Sequence, residues 1–285
     1  MIIDSHTHIF SPRVISRREE YTRRDPCFAM LYGTPGAKLA TVEELLSSMD
    51  RHEIGMSVIA GIGWVSHDLC VESNDYILEC LGRYPGRLIG LAAIQPGAGD
   101  AALKEVERCV GGGVRGIGEL RPDVQGFDMT HDSLGDIARY LASHNLAWLS
   151  HASEPVGHTY PGKGAVTPET LYPFILRYPE LKIILAHWGG GLPFYALMPE
   201  VKAALKNVFF DTAASPFLYD RAVYRQAIDN LGSGRVLFGS DYPLMSPGRV
   251  LDEIKSSGLP ADAAPAVLGE NARHLFNVGE RGQKT

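Results

Sequence analysis

Cysteine is scarce in this chain: there are 4 in 285 residues, Cys27, Cys70, Cys80 and Cys109, and no two form a Cys-x-x-Cys pair. That excludes a thioredoxin-like redox motif or a zinc ribbon and reads as thiols in a reducing compartment. Positive charge is not in excess either. With 27 Lys and Arg against 33 Asp and Glu, the net charge is −6, so the footprint of a nucleic-acid or anionic-membrane binder is missing. No basic cluster interleaves with aromatics as single-strand binding requires. Long apolar runs are absent: residues 88–94 are among the most apolar, far short of the roughly 20 needed to span a bilayer. The first eight residues carry Asp4 and two histidines, which does not read as a signal peptide. The expectation is a soluble cytoplasmic protein.

Phosphate-binding and nucleophile motifs are lacking too. There is no P-loop and no G-x-S-x-G elbow. Gly111-Gly-Gly-Val-Arg-Gly116 matches G-x-G-x-x-G literally. It follows a predicted helix and leads into a strand, the reverse of the order a dinucleotide site needs, and reads as a loop and close-packing feature.

Present instead is a regular alternation. Strand-like runs fall at 2–8, 57–61, 88–94, 114–119, 147–151, 182–187, 208–211 and 236–241. Amphipathic stretches at 42–52, 70–84, 101–110, 133–144, 168–177, 193–206, 221–230 and 249–256 lie between or after them. Eight such units with 45% hydrophobic residues predict an α/β fold of one domain over 1–285, a (β/α)8 TIM barrel. A further helix at 270–276 is expected to pack outside or close an end. Long loops follow strand one (9–40) and strand five (152–167), on the side where barrel active sites are built. Arg17, Arg18, Arg23 and Arg24 in the first read as a solvated charged surface.

The strand ends carry the chemistry. His6-x-His8 closes strand one; residues two apart in a strand share a face. Glu119 ends strand four, His151 strand five, His187 strand six and Asp241 strand eight. Alternation pairs Ile117 with Glu119, Leu149 with His151, Leu185 with His187 and Leu237 with Asp241. The apolar partner would fill the interior and the polar one the rim. Each residue alone has a plainer reading: a core histidine, a salt-bridged Glu119 with Arg121, a turn-capping Asp241. Together, six buried ionisable groups without a metal would be costly. Arg121, His158, Trp64, His67, Gln95 and Trp188 are placed near the mouth, with Arg121 and His158 the candidates for substrate contact. Asp4 reads either as a carboxylate beneath the site or as a partner of Arg115.

Asp-x-His-x-His, the strand-five and strand-six histidines, Leu185-Ala-His-Trp-Gly-Gly190, Leu237-Phe-Gly-Ser-Asp-Tyr-Pro243 and Gly269-Glu-Asn-Ala-Arg-His-Leu-Phe276 resemble the amidohydrolase superfamily. More narrowly, they resemble its "amidohydrolase 2" group of hydrolases and decarboxylases. The resemblance implies Zn2+, or another divalent metal such as Mn2+, held by His6, His8, His151 and Asp241, with His187 at the metal, its water or the substrate. Gly116-Ile-Gly-Glu-Leu120 departs from the mononuclear decarboxylase pattern. It resembles a TatD-type nuclease segment, and with Glu119 as a ligand the site would hold one or two ions. The expected function is hydrolysis of a small carbonyl substrate (a lactone, ester or amide) by metal-activated water, with Asp241 as proton acceptor and His187 orienting the hydroxide. The alternative is non-oxidative decarboxylation of an aromatic or unsaturated carboxylic acid, with a non-catalytic metal-binding barrel third. A small-molecule partner is expected, and a homo-oligomer is left open.

Overall fold

The computed structural model describes residues 1–279. Among them eight strands alternate with helices: β1 (Ile2–His8), β2 (Ile54–Ala60), β3 (Leu88–Leu91), β4 (Gly116–Leu120), β5 (Ala147–Ser150), β6 (Lys182–Leu185), β7 (Val208–Asp211) and β8 (Val236–Leu237). Parallel ladders join β1 to β3 and β4 to β8 in sequence order. Two seams complete the ring. Just past β3, the Ala92 N–H donates to the Gly116 carbonyl at 2.9 Å, and the Gly118 N–H donates back to Ala92 at 2.9 Å. On the other side Thr7 bridges Tyr242, and the Ser5 N–H donates to the Phe238 carbonyl at 2.7 Å. The expected TIM barrel is the fold.

Parallel strands in such a barrel are buried on both faces, so they read as nearly continuous apolar runs. Inside, Ile3, Val58, Leu91, Leu149, Ile184 and Leu237 pack together. Outside, Ile59, Ile117, Trp148, Ile183 and Phe210 pack with helix residues such as Leu45, Ile77 and Val106. The helix Val42–Arg51 shows how the sequence builds this shell. Thr41 and Glu44 form a capping box, and Val42, Leu45 and Met49 turn inward. The closing helix, Asn271–Leu275, seals the N-terminal end of the barrel, burying Ala272 and Leu275 against the interior cluster. No described helix is long and apolar enough to cross a membrane.

Several boundaries differ from expectation. β2 begins at Ile54 because Ile54 pairs with Ile2. β8 is only two residues long, since the chain beyond it turns toward β1. The stretch expected as a helix at 193–206 is a 3-10 segment, His187–Leu197, followed by the helix Pro199–Ala204. Met198 takes extended backbone between the two segments and Pro199 opens the second, which prevents one continuous helix. The first long loop holds three short helices, Pro12–Ser16, Arg18–Arg24 and Pro26–Tyr32. Ser11 and Asp25 cap the first and third, each with proline in the first turn. Phe28 from this loop stacks on Trp64 with centroids 5.4 Å apart, so the loop is anchored to the barrel. Its arginines pair at the surface, Arg17 and Arg24 with Glu20.

Candidate metal centre

Six strand-end residues meet at the C-terminal mouth, but only some arrive by strand alternation. His6 and His8 share a face with each other, their Nε2 atoms 3.1 Å apart. Ile3 faces the interior, however, and the β1–β2 register shifts between Asp4 and Thr7, so the pair reaches the mouth through an irregularity in β1. His151 does arrive by alternation, following the interior Leu149. Glu119 does not. Ile117 belongs to the outer layer, and the β4–β5 register shifts between Ile117 and Leu120. Gly118 takes φ 130°, and a Cβ there would run into the Leu149 carbonyl, so only glycine fits the turn that redirects Glu119. His187 is likewise out of step. Leu185 packs outward and Ile184 inward, and His187 lies beyond β6 with φ 55°. Asp241 has φ 66°, and its N–H donates to the His6 carbonyl at 2.9 Å.

The ring nitrogens are sorted by their hydrogen bonds. His6 Nδ1–H donates to Asp211 Oδ2 at 2.8 Å, His8 Nδ1–H to the Ala60 carbonyl at 3.1 Å, and His187 Nδ1–H to the Ala213 carbonyl at 3.1 Å. Each therefore turns Nε2 to the centre, as metal-ligating histidines do. Glu119 faces two ways. Its Oε2 lies 3.9 Å from His6 Nε2 and 3.7 Å from His8 Nε2, while Oε1 lies 2.8 Å from His151 Nδ1 and 3.6 Å from His187 Nε2. Asp241 Oδ1 joins the first set, 3.5 Å from His8 Nε2 and 3.9 Å from His6 Nε2. Two donors bound at about 2.1 Å to one ion stand roughly 3.0–3.5 Å apart. The first set approaches that spacing, and both triads, His6–His8–Glu119 and Glu119–His151–His187, are compact enough to hold an ion.

Charge is concentrated here. Burial disfavours a cation on His6, but Asp211, Glu119 and Asp241 outweigh it and lift the imidazole to about 10. On His187, burial is outweighed by Glu119 and Asp241, giving about 9. Burial and then the Arg121 guanidinium press His151 down to about 4. Burial works against the Glu119 and Asp241 carboxylates as well. His151 and His187 nevertheless hold Glu119 well below the usual range, and the bond to His8 with the charges of His6 and His187 brings Asp241 to about 2. Protons on buried imidazoles flanked by carboxylates occupy the place a divalent cation would take.

The remaining candidates separate clearly. Arg121 is buried beside the centre, its Nη2 donating to the Gly162 carbonyl at 2.7 Å and lying 3.6 Å from Asp123 Oδ2, while Nε has no partner. His158 sits on the exposed part of the second long loop, its ring 5.6 Å from Tyr160, away from the convergence. Trp188 is committed to Ser215 at 2.6 Å, and Gln95 bonds the Val65 and Gln125 carbonyls. Asp4 accepts from the Ser240 N–H at 2.9 Å and its hydroxyl at 2.6 Å, tying down the residue before Asp241. These contacts suit the carboxylate beneath the site; burial raises it to about 7. The sequence reading overlooked Asp211, although it is the carboxylate ending β7.

A TIM barrel with histidines and carboxylates gathered at its C-terminal mouth is an enzyme scaffold with a divalent-metal site. The chain belongs to the amidohydrolase family, whose model matches residues 3–278. A 2-amino-3-carboxymuconate-6-semialdehyde decarboxylase from Dictyostelium discoideum is 24% identical over 243 residues, 74% of this chain and 67% of that protein. The 5-carboxyvanillate decarboxylase of Sphingomonas paucimobilis superposes with a TM-score of 0.78 at 19% identity, covering 97% of this chain and 98% of that one. A dihydroxybenzoic acid decarboxylase from Polaromonas sp. JS666, solved with manganese and the inhibitor 2-nitroresorcinol, gives 0.72 at 17% identity over 97% and 96%. These relatives overturn the expected hydrolysis of a lactone, ester or amide. A second ion on Glu119 would suit water activation, yet these three relatives are decarboxylases.

Proposed function

We propose that this enzyme is a metal-dependent, non-oxidative decarboxylase of an aromatic or unsaturated carboxylic acid. The observation that carries the reading is a buried guanidinium with an unpartnered Nε, on Arg121, next to the His and carboxylate cluster. A permanent cation there suits a carboxylate substrate, and the decarboxylase relatives supply the reaction class. The inhibitor of the Polaromonas relative has a nitro group between two hydroxyls, the outline of a carboxylate with neighbouring oxygens.

His6, His8, Glu119 and Asp241 would hold one ion, and Glu119, His151 and His187 a second. This imidazole and carboxylate set suits zinc or manganese. When bound, the metal supplies a Lewis acid for the substrate's oxygens. Arg121 orients the carboxylate. Loss of CO2 leaves the C–C electron pair on the substrate carbon, where a proton from water must take its place; Asp241, ionised at neutral pH, would relay it. With only the first ion bound, His187, its Nδ1–H committed to Ala213, would turn Nε2 to the reacting oxygens. The four buried, unpaired thiols suit the cytoplasm.

The test is a panel of aromatic and unsaturated acids, 5-carboxyvanillate and dihydroxybenzoic acid included, incubated with zinc- or manganese-loaded enzyme. The expected result is CO2 and the decarboxylated product in equal amounts, abolished by chelation. No CO2 from any acid with either metal, while the barrel stays folded, would overturn the reading.

A further inference from the structure

Asp211 is fully buried at the end of β7 and both of its oxygens are engaged. Oδ1 accepts from the His187 N–H at 2.9 Å and the Ala213 N–H at 3.1 Å. Oδ2 accepts from His6 Nδ1–H at 2.8 Å. One carboxylate thus touches histidine-bearing segments from β1 and β6. A carboxylate can only accept, so its bond to Nδ1 fixes His6 as the tautomer with a free Nε2. The same group catches the backbone of His187 as it leaves β6 in a left-handed turn. It also anchors Ala213, whose carbonyl receives the His187 Nδ1–H.

We propose that Asp211 is a positioning residue that sets both histidines for the metal: the ring tautomer of His6 and the placement of His187. The role rests on His6 Nε2 facing an ion and is independent of which reaction the loaded enzyme performs. It distinguishes Asp211 from Asp4, whose contacts are to Ser240 and to the His6 backbone and which sets no ring nitrogen.

Asp211→Asn isolates the effect because the amide matches the carboxylate in shape. Two backbone N–H groups hold its carbonyl oxygen at the Oδ1 position. Its NH2 is then forced toward His6 Nδ1, which must accept, moving the ring hydrogen to Nε2 and blocking the ligand atom. Loss of such an outer partner weakens metal binding by about 10- to 100-fold.

The readout is manganese and zinc affinity, by competition with a chromophoric chelator on the full chain. Asp211→Asn is expected to bind at least tenfold more weakly with an unchanged circular dichroism spectrum. Affinity within twofold of the parent overturns the proposal. The parent enzyme gives a second measurement that needs no variant to fold: long-range 1H–15N spectra of the zinc-loaded protein should show His6 protonated at Nδ1. A hydrogen on His6 Nε2 overturns the assignment. Inactivity toward every acid, with affinity and tautomer as expected, refutes the decarboxylase reading alone.

Discussion

Glu119→Gln is the sharpest perturbation of the centre, because Glu119 is the one carboxylate that faces both ligand sets. Removing its charge leaves His6 and His8 with Asp241, whose Oδ1 is 3.5 Å from His8 Nε2. The other set keeps His151 and His187 and no anion. The second position should therefore fail while the first survives. Losing an outer-shell partner costs about 10–100-fold in metal affinity, so losing a charged ligand should cost about 100-fold or more, roughly 2.7 kcal/mol. At a metal concentration near 100 times the parent's dissociation constant, this position stabilises the fold by about 2.7 kcal/mol; a 100-fold loss reduces that to about 0.4 kcal/mol. The melting temperature gained on adding metal should shrink by roughly 5 °C, at about 2 °C per kcal/mol for a chain of this size. The assay is elemental analysis after dialysis against manganese, paired with thermal melts with and without metal. At that concentration the parent should hold two ions per chain and the variant about one and a half, falling toward one as the metal is lowered. A parent that saturates at one ion, or a variant that still holds two, refutes the bridging role.

Three further outcomes follow from the same geometry. His6 and His187 are raised from 6.5 to about 10 and about 9. Their stabilisation of the metal-free protein is complete below pH 6.5 and is lost as pH rises through 9 and 10; melts in chelator should fall across that window, and metal, which replaces the protons, should flatten the decline. An equal decline with metal bound would count against the imidazoles as ligands. Arg121→Met should raise KM for the acid substrate by about 10- to 100-fold with a smaller change in kcat, since a hydrogen bond to a charged group contributes about 1.5–3 kcal/mol; steady-state kinetics decide, and an unchanged KM removes Arg121 from carboxylate binding. Gly118→Ala should cost about 2–3 kcal/mol and lower the metal content, because its φ of 130° and the Leu149 carbonyl leave no room for a Cβ; a variant that melts with the parent shows the turn can be built otherwise.

The barrel was legible because eight apolar runs and their helices recur along the chain with little interruption. The cluster was legible because His6, His8, His151, His187, Glu119 and Asp241 each end a run. The reason for their convergence was only half legible. Period-two alternation accounts for His151 and for His6 and His8 sharing a face, but β1 shifts register after Asp4, and Leu185 and Ile117 pack outward. His187 and Glu119 reach the mouth through a left-handed residue and a glycine turn, which no side-chain period reports. Asp211 was hidden for a related reason. Its role depends on which strand lies beside β1 across the barrel, a three-dimensional adjacency. The chemistry was illegible for a third: the same ligands serve hydrolysis and decarboxylation, and what separates them lies in the substrate's fit.

The seam between β1 and the segment beyond β8 joins Asp241 to the His6 backbone. The ligand set thus stretches from His6 and His8 on the first strand to Asp241, just beyond the eighth. A polypeptide emerging from the ribosome carries His6 and His8 early and cannot complete the site until Asp241 has followed. Metal capture is in this sense an inspection of the finished barrel: only a chain whose first and last strands have met can pass it.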